Sequence, residues 1–400
     1  MQSRNKSPKR YLPLVSLALL FLLSSFASWA YLRYQSIDTV IEPTLQQITI
    51  DAPDAKPLAW PGYGQAAVGT KDYGILTTHG DTEPQPTAST AKLITMLAIM
   101  TKKPFTDGKG ETITFTDNDV AIYNDYVAGN GTVTPIAANV QWTQYQAFQS
   151  IQINSANNIS DSLAIWAFGS LEEYRSYAQA MVDDLGMKHT TIGTDASGYS
   201  PTTTSTAHDM ALLMMHILDN PILRDITHQS ETTLPWTGTI RGHSRIEHND
   251  FISGKTGYIP EAGGTYVLGA QQAIDGKVHD IVVAVLGAPH FTEAQNDAWT
   301  LYQSAKDNFS YRTAITKGQK VGVYQPEWGD EIAITANSDL SLFIWNDKQP
   351  KIHIIAQPLT PDKSQEAGAI EITYGNWMTR THLVAESPLE QPPWWYGLKQ

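Results

Sequence analysis

The stretch Pro86-Thr-Ala-Ser89-Thr-Ala-Lys92-Leu-Ile-Thr-Met-Leu-Ala-Ile-Met100 constrains this chain more than any other. From Thr90 it is rich in good helix formers and meets no glycine or proline before Pro104, which predicts a helix. Its apolar residues are spread all round the wheel and not confined to one stripe, so the helix is expected to be central and buried. Ser89 falls at its first turn, and Lys92, three residues on, shares its face. A lysine in apolar surroundings tends to shed its proton, because desolvation disfavours the charged form. The neutral amine can then take the proton of the neighbouring hydroxyl and make serine a nucleophile without histidine. Ser-x-x-Lys is a common tetrapeptide, and Ser3-Arg-Asn-Lys6 also matches it, so the weight rests on residues further along the chain.

Four hundred residues suggest two folded units and a leader. The net charge is −13, and four cations (Arg4, Lys6, Lys9, Arg10) sit in the first ten residues. The remainder is more acidic still, which argues against nucleic-acid binding. There are no cysteines, so disulfides, thiolate metal sites and cysteine nucleophiles are excluded. A basic head at residues 1–10 precedes an uncharged run at 11–32, and about 22 residues at roughly 1.5 Å each cover the ~30 Å of a bilayer core. An uncleaved membrane anchor with the bulk of the chain outside is favoured. A cleavable signal ending at Ser28-Trp-Ala30 is the competitor. In both cases the folded part is extracytoplasmic.

Residues 33–57 read as a tether, 58–317 as one domain and 318–400 as a second. Two strands, Gln65 to Thr70 and Tyr73 to Thr78, are followed by the central helix. Ala128-Gly-Asn-Gly-Thr132 reads as a hairpin tip, its glycines serving a turn and not a phosphate. Helices are expected over 143–151, 161–168, 171–185 and 206–218, the last capped by Ser205 or Thr206. Strands Thr265 to Gln272 and His279 to Gly287 flank an Asp275-Gly276 turn, and helix Glu293 to Lys306 closes the unit. The result is an α/β domain with an antiparallel sheet and a large helical insertion. Beyond Gly318, short alternating runs (320–324, 331–336, 340–345, 352–357, 369–374 and 379–386) predict a small all-β domain. The tail Pro392-Pro-Trp-Trp-Tyr-Gly-Leu-Lys-Gln either docks on a core or touches a membrane interface.

Three short motifs occur in order: Ser89-x-x-Lys92, Ser155-Ala-Asn157 and Lys255-Thr256-Gly257. In the first, Ser89 attacks, Lys92 accepts its proton, and the helix N-terminus offers N–H groups to an oxyanion. In the second, at a break between helices, Ser155 can pass a proton to a leaving amine. Asn157 can hold a substrate carbonyl and fix Lys92. In the third, Lys255 is a point charge suited to a carboxylate, and it also helps keep Lys92 neutral. Gly257 leaves room for a substrate backbone along the strand.

With these motifs the chain resembles the serine-type D-alanyl-D-alanine carboxypeptidases, the low-mass penicillin-binding proteins of peptidase family S11. Their order and separations match, as do the blocks Pro86 to Thr95, Ser155 to Asn158, Ser205 to Met210 and Gly254 to Gly263. The resemblance covers roughly residues 65–305. It implies a penicillin-binding/β-lactamase-like transpeptidase fold, α/β in class, with an antiparallel sheet and a helical subdomain, followed by the small β domain. It further implies Ser89 as acyl-enzyme nucleophile, Lys92 as proton acceptor, and Ser155 and Asn157 completing the site. Lys255 and Thr256 would bind the terminal carboxylate, and the N–H groups of Ser89 and Tyr258 would form the oxyanion hole. The implied partners are a peptidoglycan pentapeptide ending in D-Ala-D-Ala, β-lactams at the same serine, and the membrane through the N-terminal helix. No cofactor or metal is implied. The chain departs from the family in a shorter stretch from His248 to Ser253 and in an N-terminal anchor where the family often uses a C-terminal amphipathic helix.

A class A β-lactamase shares the first and third motifs. It usually carries Ser-Asp-Asn in the second and a glutamate about 36 residues later, where this chain has Thr191 and no acid until Asp195. A transpeptidase would use the same acyl-enzyme with an amine acceptor. A non-catalytic wall-binding protein would lack the nucleophile or base, and both are present. A metal hydrolase has little support, since the 11 histidines are scattered and His243 and His248 form no helical zinc motif.

Overall fold

Strands from both ends of the 58–317 region come together in one sheet. The computed structural model describes residues 12–50, 54–105, 108–346, 349–362, 365–375 and 377–399. The basic head and its Ser3/Lys6 pair lie outside the described residues. The sheet comprises β1 (Gln65–Thr70), β2 (Gly74–Gly80), β3 (Phe251–Ile259), β4 (Gly263–Ile274) and β5 (Lys277–Ala288). It runs in the order β3-β4-β5-β1-β2, antiparallel throughout. Asp275 and Gly276 join β4 to β5 with φ of 49° and 76°, the backbone a two-residue hairpin demands.

Both faces of the sheet are covered, and the period-2 alternation sorts its side chains between two cores. Ala67, Val282, Ala284 and Leu286 join one core, whereas Ala66, Val68, Ile281, Val283 and Val285 join the other. In chain order, α1 (Leu12–Gln35) comes first and has exposed apolar side chains. Then follow α2 (Lys92–Lys102), α3 (Asp117–Ala128), α4 (Gln144–Ile153), α5 (Asn157–Phe168), α6 (Leu171–Asp184), α7 (Ala207–Asp219) and α8 (Pro221–His228). α7 packs on β1 and β5 on one face, and α9 (Phe291–Lys306) covers β4 and β5 on the other. α2 is central as expected, with eight of its residues buried from Lys92 to Met100. Thr206 caps α7 by accepting from the Asp209 N–H.

The expected hairpin tip at 128–132 is instead the C-terminus of a helix, α3. Asn130, at φ 56°, turns the chain, with Asn130 N–H donating to Val127 O and Gly131 N–H to Tyr126 O. That is the left-handed stop common at helix ends, and asparagine tolerates its backbone. Asn-Gly signals a left-handed turn without saying whether a strand or a helix precedes it.

The C-terminal region is all-β, with β6 (Phe309–Ile315), β7 (Lys320–Tyr324), β8 (Ile332–Ala336), β9 (Leu340–Trp345), β10 (Lys351–Ala356), β11 (Glu366–Tyr374) and β12 (Trp377–Ala385). One sheet runs β7-β8-β12-β11-β10, while β6 pairs with β9. Its own core includes Ile315, Val321, Ile334, Leu342, Ile372 and Leu383. The two domains meet where His279 of β5 stacks on Phe343 of β9 at 3.8 Å and contacts Tyr311 Oη at 2.8 Å.

The segment expected to be a tether is docked along its described length. Pro43–Leu45 adds an edge strand to β7, and Ile41 bridges Leu359. Lys56 N–H donates to Asn308 Oδ1 at 2.7 Å. These contacts are mainly backbone pairings, which leave little side-chain periodicity in the sequence.

Candidate active site

The chain enters α2 through a short 3₁₀ turn, Ala88–Ala91, so Ser89 precedes the α-helix proper. The turn is pinned on both sides: Thr87 N–H donates to Thr203 O at 3.1 Å, and Thr265 Oγ1 donates to Thr87 O at 3.0 Å. Ala88, buried, takes φ 47°, a left-handed backbone that costs a non-glycine residue on the order of 1–3 kcal/mol and persists only when its surroundings enforce it. Gly198 is part of that enforcement, since a Cβ there would overlap the Ala88 carbonyl.

Lys92 is wholly buried, and its Nζ has three oxygen neighbours: Ser89 Oγ at 2.9 Å, Asn157 Oδ1 at 2.8 Å and Ser197 O at 2.7 Å. Two of these oxygens only accept, whereas the third belongs to a hydroxyl that can also donate. A neutral amine satisfies the set: two N–H bonds go to Asn157 and Ser197, and its lone pair is left for the Ser89 hydroxyl. Burial lowers the Lys92 pKa to about 7, against the opposing pull of Asp195 and Asp161.

Asn157 opens α5, and its own N–H donates to Thr132 O at 2.8 Å. Ser155, two residues earlier, takes φ 56° in the break between α4 and α5. Its Oγ accepts from Lys255 Nζ at 3.0 Å. Lys255 is also fully buried and donates to Thr256 O at 2.9 Å. Burial, and then the charge of Lys92, hold its pKa well below the usual lysine range.

β3 is an edge strand, paired to β4 alone, and its free edge faces the Ser89 turn. Gln152 Nε2 ties it to α4 by donating to Gly254 O at 2.7 Å. The Thr256 N–H points off this edge to Ser244 Oγ at 3.1 Å, and the two hydroxyls lie 2.9 Å apart. Strand alternation turns the Tyr258 N–H to the same edge. At Gly257 a Cβ would come within 2.8 Å of Ser89 N and 3.0 Å of Thr90 N, so only glycine lets the strand lie this close. Ser89, Ser155, Ser244, Thr256, Gly257, Tyr258 and Arg241 line one cleft of 380 Å³. All eight residues singled out from the sequence thus belong to one constellation.

Sequence reasoning passed over two carboxylates behind Lys92. Asp195 accepts from the N–H groups of Ser197 (2.7 Å), Gly198 (2.6 Å) and Ser200 (2.8 Å), which shapes the loop that presents Ser197 O to Lys92. Asp followed by Ser and Gly is a turn signal that could have found it. Both of its oxygens accept from that loop, Oδ1 from Ser197 and Gly198 and Oδ2 from Ser200. Asp161 sits on α5, 5% exposed, accepting from Tyr126 Oη at 2.6 Å and Ala196 N at 2.8 Å. Burial pushes its pKa up to about 6. His243 is exposed and also lines the cleft.

A family model described as D-alanyl-D-alanine carboxypeptidase matches residues 67–290. The D-alanyl-D-alanine carboxypeptidase DacA of Haemophilus influenzae is 21% identical over 246 residues, 58% of this chain and 59% of that protein. The matched part therefore spans about three fifths of the relative's length. Among solved structures, a peptidoglycan synthesis regulatory factor (PBP3) from Streptococcus pneumoniae superposes with a TM-score of 0.60 at 17% identity, covering 83% of this chain and 100% of that one. Penicillin binding protein 6B from Escherichia coli gives 0.59 at 17% identity, covering 85% and 99%. At such identities the structural likeness establishes the fold.

Proposed function

Since this chain belongs to the D-alanyl-D-alanine carboxypeptidase family, we propose that it is a serine-type D-Ala-D-Ala carboxypeptidase acting on peptidoglycan stem peptides. The observation that carries this reading is the wholly buried Lys92 amine, its Nζ 2.9 Å from Ser89 Oγ. Ser89 Oγ attacks the carbonyl carbon between the two terminal D-alanines while Lys92 Nζ takes its proton. The tetrahedral oxyanion is held between the N–H groups of Ser89 and Tyr258. The proton then passes by way of Ser155 to the departing amine, the C–N bond breaks, and free D-alanine leaves an ester on Ser89. Water, deprotonated by the same amine, cleaves that ester and releases the shortened peptide.

Lys255 and Thr256 receive the substrate's terminal carboxylate. With the site empty, the Lys255 charge is disfavoured by burial and by Lys92. A carboxylate brought beside it reverses the balance, because an opposite charge favours the protonated amine. Binding thereby selects substrates with a free C-terminus. Penicillins, which also present a carboxylate and an acyl carbon, acylate Ser89.

α1 is one helix long and apolar enough to cross a membrane, with a mean hydropathy of 1.8 over Leu14–Gln35. We place it in the cell membrane as an uncleaved anchor, with both domains on the side of the wall.

The test is intact-mass analysis after benzylpenicillin, together with D-alanine release from a pentapeptide ending in D-Ala-D-Ala. An adduct of the drug's mass on the wild type and none on Ser89→Ala supports the assignment. Drug consumed without an adduct would move the protein to the lactamases. Folded protein that shows neither adduct, drug loss nor D-alanine release would make it a wall-binding protein.

A further inference from the structure

The C-terminal tail meets the end of α1. The tail packs against the last turn of α1, where a Cβ on Gly397 would stand 3.0 Å from Tyr34 N. Tyr396 fastens it to the β domain: this residue is 9% exposed, its ring lies 5.9 Å from Trp328, and its hydroxyl donates to Glu327. A tail that served only as packing would bury its largest apolar groups as well. Instead Trp394 is 68% exposed and Trp395 44%.

Trp395 immediately precedes the turn Tyr396–Leu398 that packs on the end of α1, a helix on which Trp29 and Tyr31 are also exposed. Cations accompany the rings: Lys399 Nζ lies 4.8 Å from the Trp395 ring centroid, and the Arg33 guanidinium 5.8 Å from that of Trp29. A ring with an apolar body and one N–H donor is favoured where a bilayer passes from hydrocarbon to headgroups. Lysine and arginine beside such rings match anionic lipid. The tail that carries the exposed indoles packs on a helix whose apolar side chains are themselves exposed, which singles out a lipid surface as the partner.

We propose that the tail and the end of α1 form one membrane-interface collar, with Trp394 and Trp395 seated among the headgroups of an anionic bilayer. The proposal rests on α1 being an uncleaved anchor. The collar fixes protein height and tilt at two points of attachment, the helix through the bilayer and the indoles at its surface.

The test uses the full chain in nanodiscs rich in phosphatidylglycerol, with lipids brominated near the headgroup as quenchers of tryptophan emission. Wild type is compared with Trp394→Phe/Trp395→Phe and with Trp29→Phe, and unchanged benzylpenicillin acylation confirms that each variant is folded. The collar predicts that both variants lose a quenchable component. Loss in Trp29→Phe but not in the double variant overturns the collar while leaving the anchor intact. That holds whether the tail proves open to aqueous acrylamide or shielded by a second copy. Loss in neither places α1 outside the bilayer and overturns both.

Discussion

Lys92 and Lys255 are two fully buried lysines in one site, each hydrogen-bonded to a different serine, at 2.9 Å from Ser89 and 3.0 Å from Ser155. Neither meets a carboxylate within ion-pair distance among the described residues. Burial pushes both toward the neutral amine, and the proposed reaction separates them by what each would recruit: Lys92 a hydroxyl proton, Lys255 a substrate's charge.

The pH dependence originates in Lys92. Its amine must be neutral to accept the proton, and its pKa is about 7. The benzylpenicillin acylation rate is expected to fall about tenfold per pH unit below 7 and to level off above it. A profile that stays flat from pH 5 to 9 would exclude Lys92 as the base.

Ser155→Ala removes the hydroxyl between Lys255 and the leaving amine. General acid–base steps contribute about 10²–10⁴-fold, and D-alanine release is expected to fall within that range while the protein stays folded by circular dichroism. A loss under tenfold would mean that Ser155 only positions Lys255.

Gly257→Ala puts a methyl group 2.8 Å from the Ser89 backbone nitrogen. The strand edge must retreat, carrying the Tyr258 N–H with it, and a displacement near 1 Å costs about 10²-fold. Stopped-flow acylation by a chromogenic cephalosporin reads this directly. Wild-type rates would show that the edge is less closely fitted than the geometry implies.

Asp195→Asn keeps the side chain's shape but loses its charge and one acceptor oxygen. Hydrogen bonds to a charged group contribute roughly 1.5–3 kcal/mol each, so a drop of that order in unfolding free energy is expected. Acylation should slow in parallel as Ser197 O drifts from Lys92. Full stability in denaturant titration would show that the loop holds itself.

The elements that carry chemistry are legible because each obeys a local rule. The central helix is visible from its composition, the β4–β5 turn from Asp275-Gly276, and Thr206 as a cap. The three motifs, far apart in sequence, lie together in the structure around Lys92, Ser155 and the cleft. The features that escape such reading depend on contacts distant in sequence. Ala88 takes a left-handed backbone because Thr203, Thr265 and Gly198 surround it, and nothing in an alanine announces that. Asp161 and Tyr126 find each other from separate helices. α3 buries none of its residues and so lacks an apolar stripe, which is why its C-terminal stop reads as a hairpin in the sequence.

The short strand Pro43–Leu45 decides how far the catalytic cleft can roam. A free leash of about 22 residues would have a root-mean-square span of about 25 Å and let the domains sweep a volume above the membrane. Pairing with β7 takes up that slack, and the β domain becomes a rigid pedestal between α1 and the cleft. With α1 in the bilayer, the cleft then works in a single plane parallel to the membrane. Under the proposed function it would meet only those stem peptides that growth of the wall carries through that layer.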